Sequence, residues 1–222
     1  MNFFGHAVLA HERDAGEDPR FVLGAMFPDF CSMARLRLQE VSDPVVAEGV
    51  AFHHVTDDAF HGAPLFLQLM HDAQERLEEA GVSYGPALAV GHVGVELLLD
   101  GWLAARIAER EGPRRGAIGS FRAALEAPAG SMRWRDGEQS EARWRTLRER
   151  LRDSPLPEAY GDPAFVADRM VFILKGRPRL ALDEHGAREV ARWAPEGARA
   201  VAAHADALLE QVRGRLERAT ER

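Results

Sequence analysis

The sequence predicts an all-α protein, and three observations support this class. No segment shows the sustained polar–apolar alternation of a half-buried strand, whereas most long segments repeat apolar residues at the helical period. Apolar residues make up 46% of the 222 residues, which is enough for a substantial core. Proline and glycine fall at the ends of the periodic segments, where helices begin and end. We therefore expect a single helical bundle domain with a C-terminal helical extension.

The predicted helices follow one another along the whole chain. In order, they cover residues 2–12, 20–27, 43–61, 64–80, 85–111, 115–127, 141–152, 162–174, 183–193 and 196–219. Pro28 is expected to end the second helix, because proline disfavours the helical conformation in the residue before it. Ser42 and Pro44 suit the N-cap and the first turn of the third helix.

The chain divides by composition into two parts. Residues 1–127 are the predicted metal-binding helical core, and residues 128–222 are a helical part that packs on this core, within one domain overall. Seven of the nine histidines lie between His6 and His92, so we expect the chemistry in the first part. The last predicted helix can pack on the domain or pair with a second copy, so a homodimer through this helix is an expectation.

Charge and cysteine content narrow the function classes. The formal net charge is −7, and a duplex nucleic-acid binder usually carries a basic surface instead. A single cysteine, Cys31, excludes an intrachain disulfide and a cysteine-rich zinc site. The first residues do not resemble a signal peptide, and we find no window with the roughly 18 apolar residues of a membrane span. We expect a soluble, cytoplasmic protein without a membrane span.

Two segments carry metal-type ligands at helical spacing. The trios spaced i, i+4, i+8 are His53, Asp57 and His61 in residues 52–61, and His92, Glu96 and Asp100 in residues 91–104. At 3.6 residues per turn, each trio falls within an arc of about 80° on one helix face. Imidazole and carboxylate ligands together suit zinc, manganese or iron better than calcium. The sequence therefore predicts one or two divalent metal ions.

The first segment allows a second interpretation. His54 and Asp58 are also spaced i, i+4, and adjacent residues differ by about 100° around a helix. One of His53 and His54 is therefore expected to support a ligand or to face the substrate. In the second segment the helix is apolar almost all round and should be buried. A buried Glu96 or Asp100 is costly unless it is paired or bound to a metal.

Two further residues complete the predicted ligand set. His6 lies on the short apolar helix at the start of the chain. Asp29 follows the apolar run LGAMFP, in which Gly24 and Pro28 suggest a tight and rigid approach to the core. A turn or cap residue is the alternative interpretation of this aspartate.

Four blocks of the sequence resemble a known family. MNFFGHAVLA, LGAMFPDF, GVAFHHVTDDAF and VELLLDGWLA resemble blocks of the acyl carrier protein phosphodiesterases, in order and spacing over residues 1–104. A weaker similarity continues over residues 163–182. This family is similar to the HD-type metal phosphohydrolases, which are all-α and hydrolyse phosphoesters at a His/Asp metal centre. The resemblance implies a phosphoester substrate, with acyl carrier protein as a candidate partner.

The resemblance also implies particular ligands. Carried over residue by residue, it marks His6, Asp29, His53, Asp57 and Asp100, and Glu96 stands where the family has an aspartate. The departures are His54 for arginine, His61 for aspartate, Ala63 for histidine and Gly101 for histidine. These departures lie close to the implied site, so the reaction class is carried over and the substrate is left open.

A second family is similar in its ligand order. The zinc-dependent phospholipases C and single-strand nucleases are all-α and use an early His, an Asp, a His-x-x-x-Asp with a further His, and a His-x-x-x-Glu. The matching residues are His6, Asp29, His53, Asp57, His61, His92 and Glu96. Those enzymes are usually exported, and one further histidine of their set has no counterpart here.

Either resemblance implies hydrolysis by metal-activated water. His54 or His71 could protonate the leaving oxygen, since imidazole exchanges protons near neutral pH. Arg35 or Arg37 could bind a phosphate through two hydrogen bonds, although a solvated turn is the simpler interpretation of both. Two other classes stay open, namely a non-catalytic metal-binding protein and a helical interaction module.

Overall fold

The computed structural model describes residues 1–14, 16–128 and 132–220. These residues form nine α-helices, one 3-10 helix and two short strands, which confirms the predicted all-α class. The helices are α1 Phe3–Asp14, α2 Pro19–Ala34, α3 Pro44–His61, α4 Pro64–Glu79, α5 Tyr84–Glu111, α6 Gly116–Glu126, α7 Glu138–Asp153, α8 Pro163–Lys175 and α9 Glu184–Thr220. The 3-10 helix is Glu158–Gly161, and the strands are β1 Leu38–Val41 and β2 Met132–Trp134.

Helix α2 continues through Pro28, so the predicted end at residue 27 is wrong. Asp18 caps its N-terminus by accepting a hydrogen bond from the Arg20 N–H, and the helix ends at Ala34. Residues 21–27 and Phe30 are buried, and this burial outweighs the roughly 3 kcal/mol that a proline costs within a helix. As a result, Asp29 lies on a helix and not in a turn.

Pro195 is likewise inside a helix. The sequence predicts separate helices over 183–193 and 196–219, whereas α9 is continuous from Glu184 to Thr220. Val190, Trp193, Ala194 and Val201 are all buried along it. Packing of this apolar stripe keeps the helix continuous across the proline.

The two strands were not predicted from the sequence. β1 and β2 pair antiparallel, with Leu38 opposite Trp134 and Val41 opposite Met132. Strands of three or four residues are too short to show a readable alternation. Their pairing joins segments more than ninety residues apart, which local sequence patterns do not report.

The chain forms two compact units, each built from two segments. Unit 1 comprises residues 1–58 and 106–156, and unit 2 comprises residues 59–105 and 157–222. The boundaries of these units fall within α3, within α5 and between residues 156 and 157, because contacts join segments that are remote in the sequence. The predicted division at residue 127 stays a prediction.

An aromatic cluster forms the core of unit 1. Its rings lie 5.2–5.8 Å apart between centroids, in the range of favourable aromatic pairs. The members come from α1, α2, α6 and α7, and they are Phe3, Phe27, Phe30, Phe121 and Trp144. This cluster fixes α1 against α2, and these helices carry His6 and Asp29.

In unit 2, helices α4 and α8 pack on α9, and residues 84–105 of α5 belong to the same unit. Trp193 of α9 is buried and lies against Gly94 of α5, where a Cβ atom would come within 2.8 Å of its ring. The small residue therefore allows the indole to pack directly on the backbone of α5. This packing supports the helix that carries His92 and Glu96.

Among the described residues, α5 is long and apolar enough to cross a membrane by length and composition alone. Its most apolar window has a mean hydropathy of 1.4, contrary to our expectation that no segment is so apolar. However, 72% of that window is buried inside the protein, and core helices of soluble proteins pass the same test. The length and composition of this helix are therefore weak evidence for or against a membrane span.

Candidate metal centres

A first group of ligand atoms lies in unit 1. His6 of α1, Asp29 of α2 and His53 of α3 each place one ligand atom within 4.8 Å of the others. Both histidines are buried, whereas the Asp29 side chain is 26% exposed. Asp57, one helical turn after His53, lies beside them, with its Oδ1 3.6 Å from His6 Nε2. Three helices thus bring together four of the predicted ligands.

A backbone carbonyl orients the His53 ring. The Nδ1 atom lies 2.8 Å from the carbonyl oxygen of Ala25. Because a carbonyl oxygen can only accept, Nδ1 must carry the proton and donate. The Nε2 atom of neutral His53 is then left with its lone pair. Histidines that bind metals usually donate their other ring N–H in this way.

A threonine hydroxyl orients the His6 ring. Thr56 Oγ1 lies 2.7 Å from His6 Nδ1, and it also donates toward the carbonyl oxygens of Phe52 and His53 at 3.0 and 2.9 Å. A hydroxyl has one proton, and both carbonyls can only accept. Thr56 therefore accepts from the His6 Nδ1–H, which leaves a lone pair on Nε2.

The Nε2 atom of His6 is fully buried and has no hydrogen-bond partner. It lies 3.6 Å from Asp57 Oδ1 and 3.9 Å from Asp29 Oδ2, beyond hydrogen-bonding range. A buried lone pair facing two carboxylates is unfavourable without a cation. Ligands bonded to one ion at about 2.0–2.2 Å lie roughly 3–4 Å apart, so these separations fit a shared metal.

The protonation states also suit a metal. Burial lowers the pKa of His6 to about 3, and burial lowers the pKa of His53 below its ordinary value. Both imidazoles are therefore neutral at physiological pH, as metal ligands must be. Asp57 Oδ1 also accepts a hydrogen bond from the amino group of Met1 at 2.8 Å, so one of its oxygens already has a cationic neighbour.

Replacing Thr56 with valine tests the orientation of His6. The variant keeps the shape of the side chain but removes the acceptor for the Nδ1–H. We expect the metal affinity of the unit 1 group to fall about 10–100-fold, as is usual when the partner of a ligating histidine is lost. Competition titration against a chromophoric chelator measures this change. Thr56→Ser retains the hydroxyl and should bind as the wild type does; equal affinities in all three proteins would contradict the role.

A second group of ligand atoms lies in unit 2. His61 ends α3, and His92 and Glu96 lie one turn apart on α5. His61 Nε2 is 3.0 Å from His92 Nε2, and both nitrogens lie 3.1 Å from Glu96 Oε1. The three atoms therefore form a nearly equilateral triangle. The i, i+4 pairing of His92 with Glu96 is the one that helical spacing predicts.

Glu96 is charged in this group despite its burial. Although burial by itself favours the protonated acid, hydrogen bonds from His61 and His92 hold the pKa of Glu96 below its ordinary value. Asp100 is fully buried as well, but it does not belong to the triangle. Burial and the nearby charge of Asp100 raise the pKa of the Tyr160 hydroxyl to about 12. Asp100 is thus a neighbour of Tyr160 in unit 2.

The predicted residues outside the two groups lie in several places. His54 is exposed, and its ring packs edge-on against His53 at 5.4 Å between centroids. His71 is exposed on α4, in unit 2. Arg35 and Arg37 are exposed beyond the end of α2, and their backbone groups bond to Arg143 and Ser140. The phosphate-binding role of both arginines stays a prediction.

Thr56 and the Ala25 carbonyl were missed by the sequence reasoning. Thr56 stands between His53 and Asp57 in the block that carries the ligands. Its position one turn after Phe52 allows the hydroxyl to bond back to the helix, a habit of threonine in helices. Thr56 contacts His6 although fifty residues separate them in the sequence, and local sequence patterns do not report such a contact.

Comparison with known proteins gives no relative of this chain. No family model matches it, and no curated protein or solved structure does so either. The fold and the two groups of ligand atoms define an all-α protein with His/Asp/Glu clusters that could hold metal ions.

Proposed function

We propose that this protein is a metal-dependent phosphoester hydrolase whose catalytic centre is the unit 1 group. The observation that carries the proposal is the buried lone pair of His6 Nε2, which faces the carboxylates of Asp29 and Asp57. With His53, these residues offer two neutral nitrogens and two carboxylates. Such a mixed set suits zinc, manganese or iron.

The exposure of the ligands indicates the side from which a substrate reaches the centre. The side chains of Asp29 and Asp57 are 26% and 36% exposed, whereas His6 is inaccessible and His53 is buried. The imidazoles would thus hold an ion from the protein side, and the carboxylates border the solvent side. A divalent ion in this place supplies a bound water of lowered pKa and a positive charge for the phosphoryl oxygens.

His54 is our candidate for the proton donor to the leaving oxygen. It is exposed, and its ring lies against the ring of His53. An imidazole in this position can carry a proton to the solvent side of the centre. In this arrangement His53 would hold the metal and His54 would donate the proton. This assigns the two roles that the sequence left open between these adjacent histidines.

We propose a phosphodiester as the substrate class. The support is the resemblance to the acyl carrier protein phosphodiesterases, whose motif positions include His6, Asp29, His53 and Asp57. The carrier protein itself is less well supported, because His54 stands where that family has arginine. The proposed substrates therefore include phosphodiesters that are smaller than the carrier protein or differ from it.

Metal removal tests the proposed reaction. Protein treated with a chelator and dialysed should not hydrolyse bis-p-nitrophenyl phosphate, and manganese, zinc or iron(II) should restore turnover. Calcium serves as the control and should not restore it, because it prefers oxygen ligands. A protein that binds these metals without any turnover would overturn the hydrolase proposal in favour of a non-catalytic metal-binding role. Failure to bind any metal would overturn both.

A further inference from the structure

A cavity of unit 2 has no residue in common with either group of ligand atoms. It is lined by side chains of α4, α5 and α9, and its volume is about 160 Å³. A cavity of roughly 150 Å³ accepts a benzene molecule in another protein. The unit 2 cavity therefore has room for a ligand of about six non-hydrogen atoms.

The floor of the cavity is apolar. Leu69 of α4, Val95 of α5, and Trp193 and Val201 of α9 line it, and all four are buried. A hydrocarbon group that contacts these side chains leaves water, which is favourable in free energy. The floor thus suits the apolar body of a small ligand.

Small residues on α9 keep this space open. Trp193, Gly197 and Ala200 are spaced i, i+4, i+7, so they lie on one face of the helix. Although glycine is a poor helix former, a Cβ atom at Gly197 would come within 2.7 Å of the indole. The two small residues therefore leave the cavity unfilled next to Trp193.

The rim of the cavity is charged. Arg76 of α4 and Glu196 of α9 form an ion pair, with Nε 3.4 Å from Oε2, and their side chains are 46% and 47% exposed. Asp72, which also lines the cavity, is exposed one turn before Arg76. Two carboxylates and one guanidinium leave the rim with an excess of negative charge. The whole chain, with a formal net charge of −7, has the same sign.

This charge selects the kind of ligand. An exposed ion pair contributes little free energy, so a ligand can separate Arg76 from Glu196 at low cost. An ammonium group donates up to three hydrogen bonds, and carboxylates accept them. An anion of the same size would instead face the excess negative charge of the rim. The cavity therefore favours an apolar body that carries one positive charge.

We propose that this cavity binds a small organic cation, namely a primary ammonium group on an apolar body of about five carbon atoms. The apolar body contacts Trp193 and the rest of the floor, and the ammonium group donates to Asp72 and Glu196. The site shares no residue with the proposed catalytic centre and does not depend on the hydrolase activity.

Titration of the full chain with n-pentylammonium, followed by ¹H–¹⁵N NMR spectra, tests the site. The indole N–H signal of Trp193, assigned by its loss in Trp193→Phe, should shift and saturate with a dissociation constant of roughly 1 mM, as suits so small a ligand. Pentanoate and 1-pentanol have the same carbon chain without the positive charge. Both should bind at least about 3-fold more weakly, and equal binding of pentanoate would overturn the choice of a cation.

Filling the cavity should remove the binding. Ala200→Leu places a larger side chain in the cavity, and we expect it to abolish the saturable shift. Ala203→Leu is the matched control, because it makes the same change at an exposed position of α9 and should bind as the wild type does. No saturable shift in the wild type, or equal affinities in these two variants, would overturn the site.

Removing a rim charge should weaken the binding. Asp72→Asn should lower the affinity for n-pentylammonium about 3–10-fold, because a charge-assisted hydrogen bond at an exposed rim is lost. Glu75→Gln removes one negative charge from an exposed position of the same helix outside the cavity and should leave the affinity unchanged. Equal affinities in both variants would overturn the role of the rim. None of these measurements uses turnover, so a failure of the proposed function would leave their outcome unchanged.

Discussion

Replacing His6 with glutamine is expected to lower metal-dependent hydrolysis at least about 100-fold, because the change removes a direct ligand and losing even a supporting partner costs about 10–100-fold. Glutamine is neutral and similar in length, but its amide is a weaker ligand than a fixed imidazole nitrogen. It also loses the hydrogen bond by which Thr56 orients the ring. Steady-state rates with bis-p-nitrophenyl phosphate at saturating manganese measure the effect.

The matched control is His11→Gln on the same helix. His11 is half-buried and bonds through Nδ1 to Ser120 Oγ at 2.9 Å, outside the ligand group. Its rate should stay within about two-fold of the wild type, since it touches none of the proposed ligands. Helix content by circular dichroism should be equal in both variants. If His6→Gln retains full activity, the unit 1 group is not the catalytic centre.

Replacing Gly101 with alanine is expected to lower the free energy of unfolding by about 2–3 kcal/mol, at the upper end of overpacking effects. Gly101 is buried within α5, and a Cβ atom there would overlap the Tyr160 carbonyl and the backbone nitrogen of Gly161. These are backbone atoms of the 3-10 helix, which cannot rotate away as a side chain can. Urea unfolding followed by circular dichroism measures the difference.

Gly214→Ala is the control for this substitution. Gly214 lies inside α9, and the nearest atom to an added Cβ is a flexible arginine terminus at 3.5 Å. Here alanine should raise the free energy of unfolding by about 0.5–1 kcal/mol, because it favours the helix over the unfolded chain. Equal effects of the two substitutions would contradict the predicted overlap between a side chain at position 101 and the backbone of the 3-10 helix.

The same contact explains one departure from the family resemblance. Gly101 stands where the acyl carrier protein phosphodiesterases have histidine, and the Tyr160 backbone occupies the place that a side chain would need. A histidine ligand is therefore excluded at this position by packing. The neighbouring Asp100 lies beside Tyr160 and outside the unit 2 triangle, although helical spacing put it on one face with His92 and Glu96.

The amino-acid sequence by itself determined the all-α class, helices such as α3 and α5, and the spacing of ligands within them. Periodicity predicted α3 and α5, and the i, i+4 rule predicted that His92 and Glu96 meet. These features are local, because a helix sets the geometry between residues one turn apart whatever surrounds it.

Only the tertiary structure decided which helices supply each group. His53 and Asp57 join His6 in unit 1, whereas His61 of the same helix joins His92 and Glu96 in unit 2. The role of Thr56, the pairing of β1 with β2 and the continuation of α2 through Pro28 were decided in the same way. In each case the deciding energy comes from contacts between remote segments, and neither periodicity nor spacing encodes which remote segments pack together.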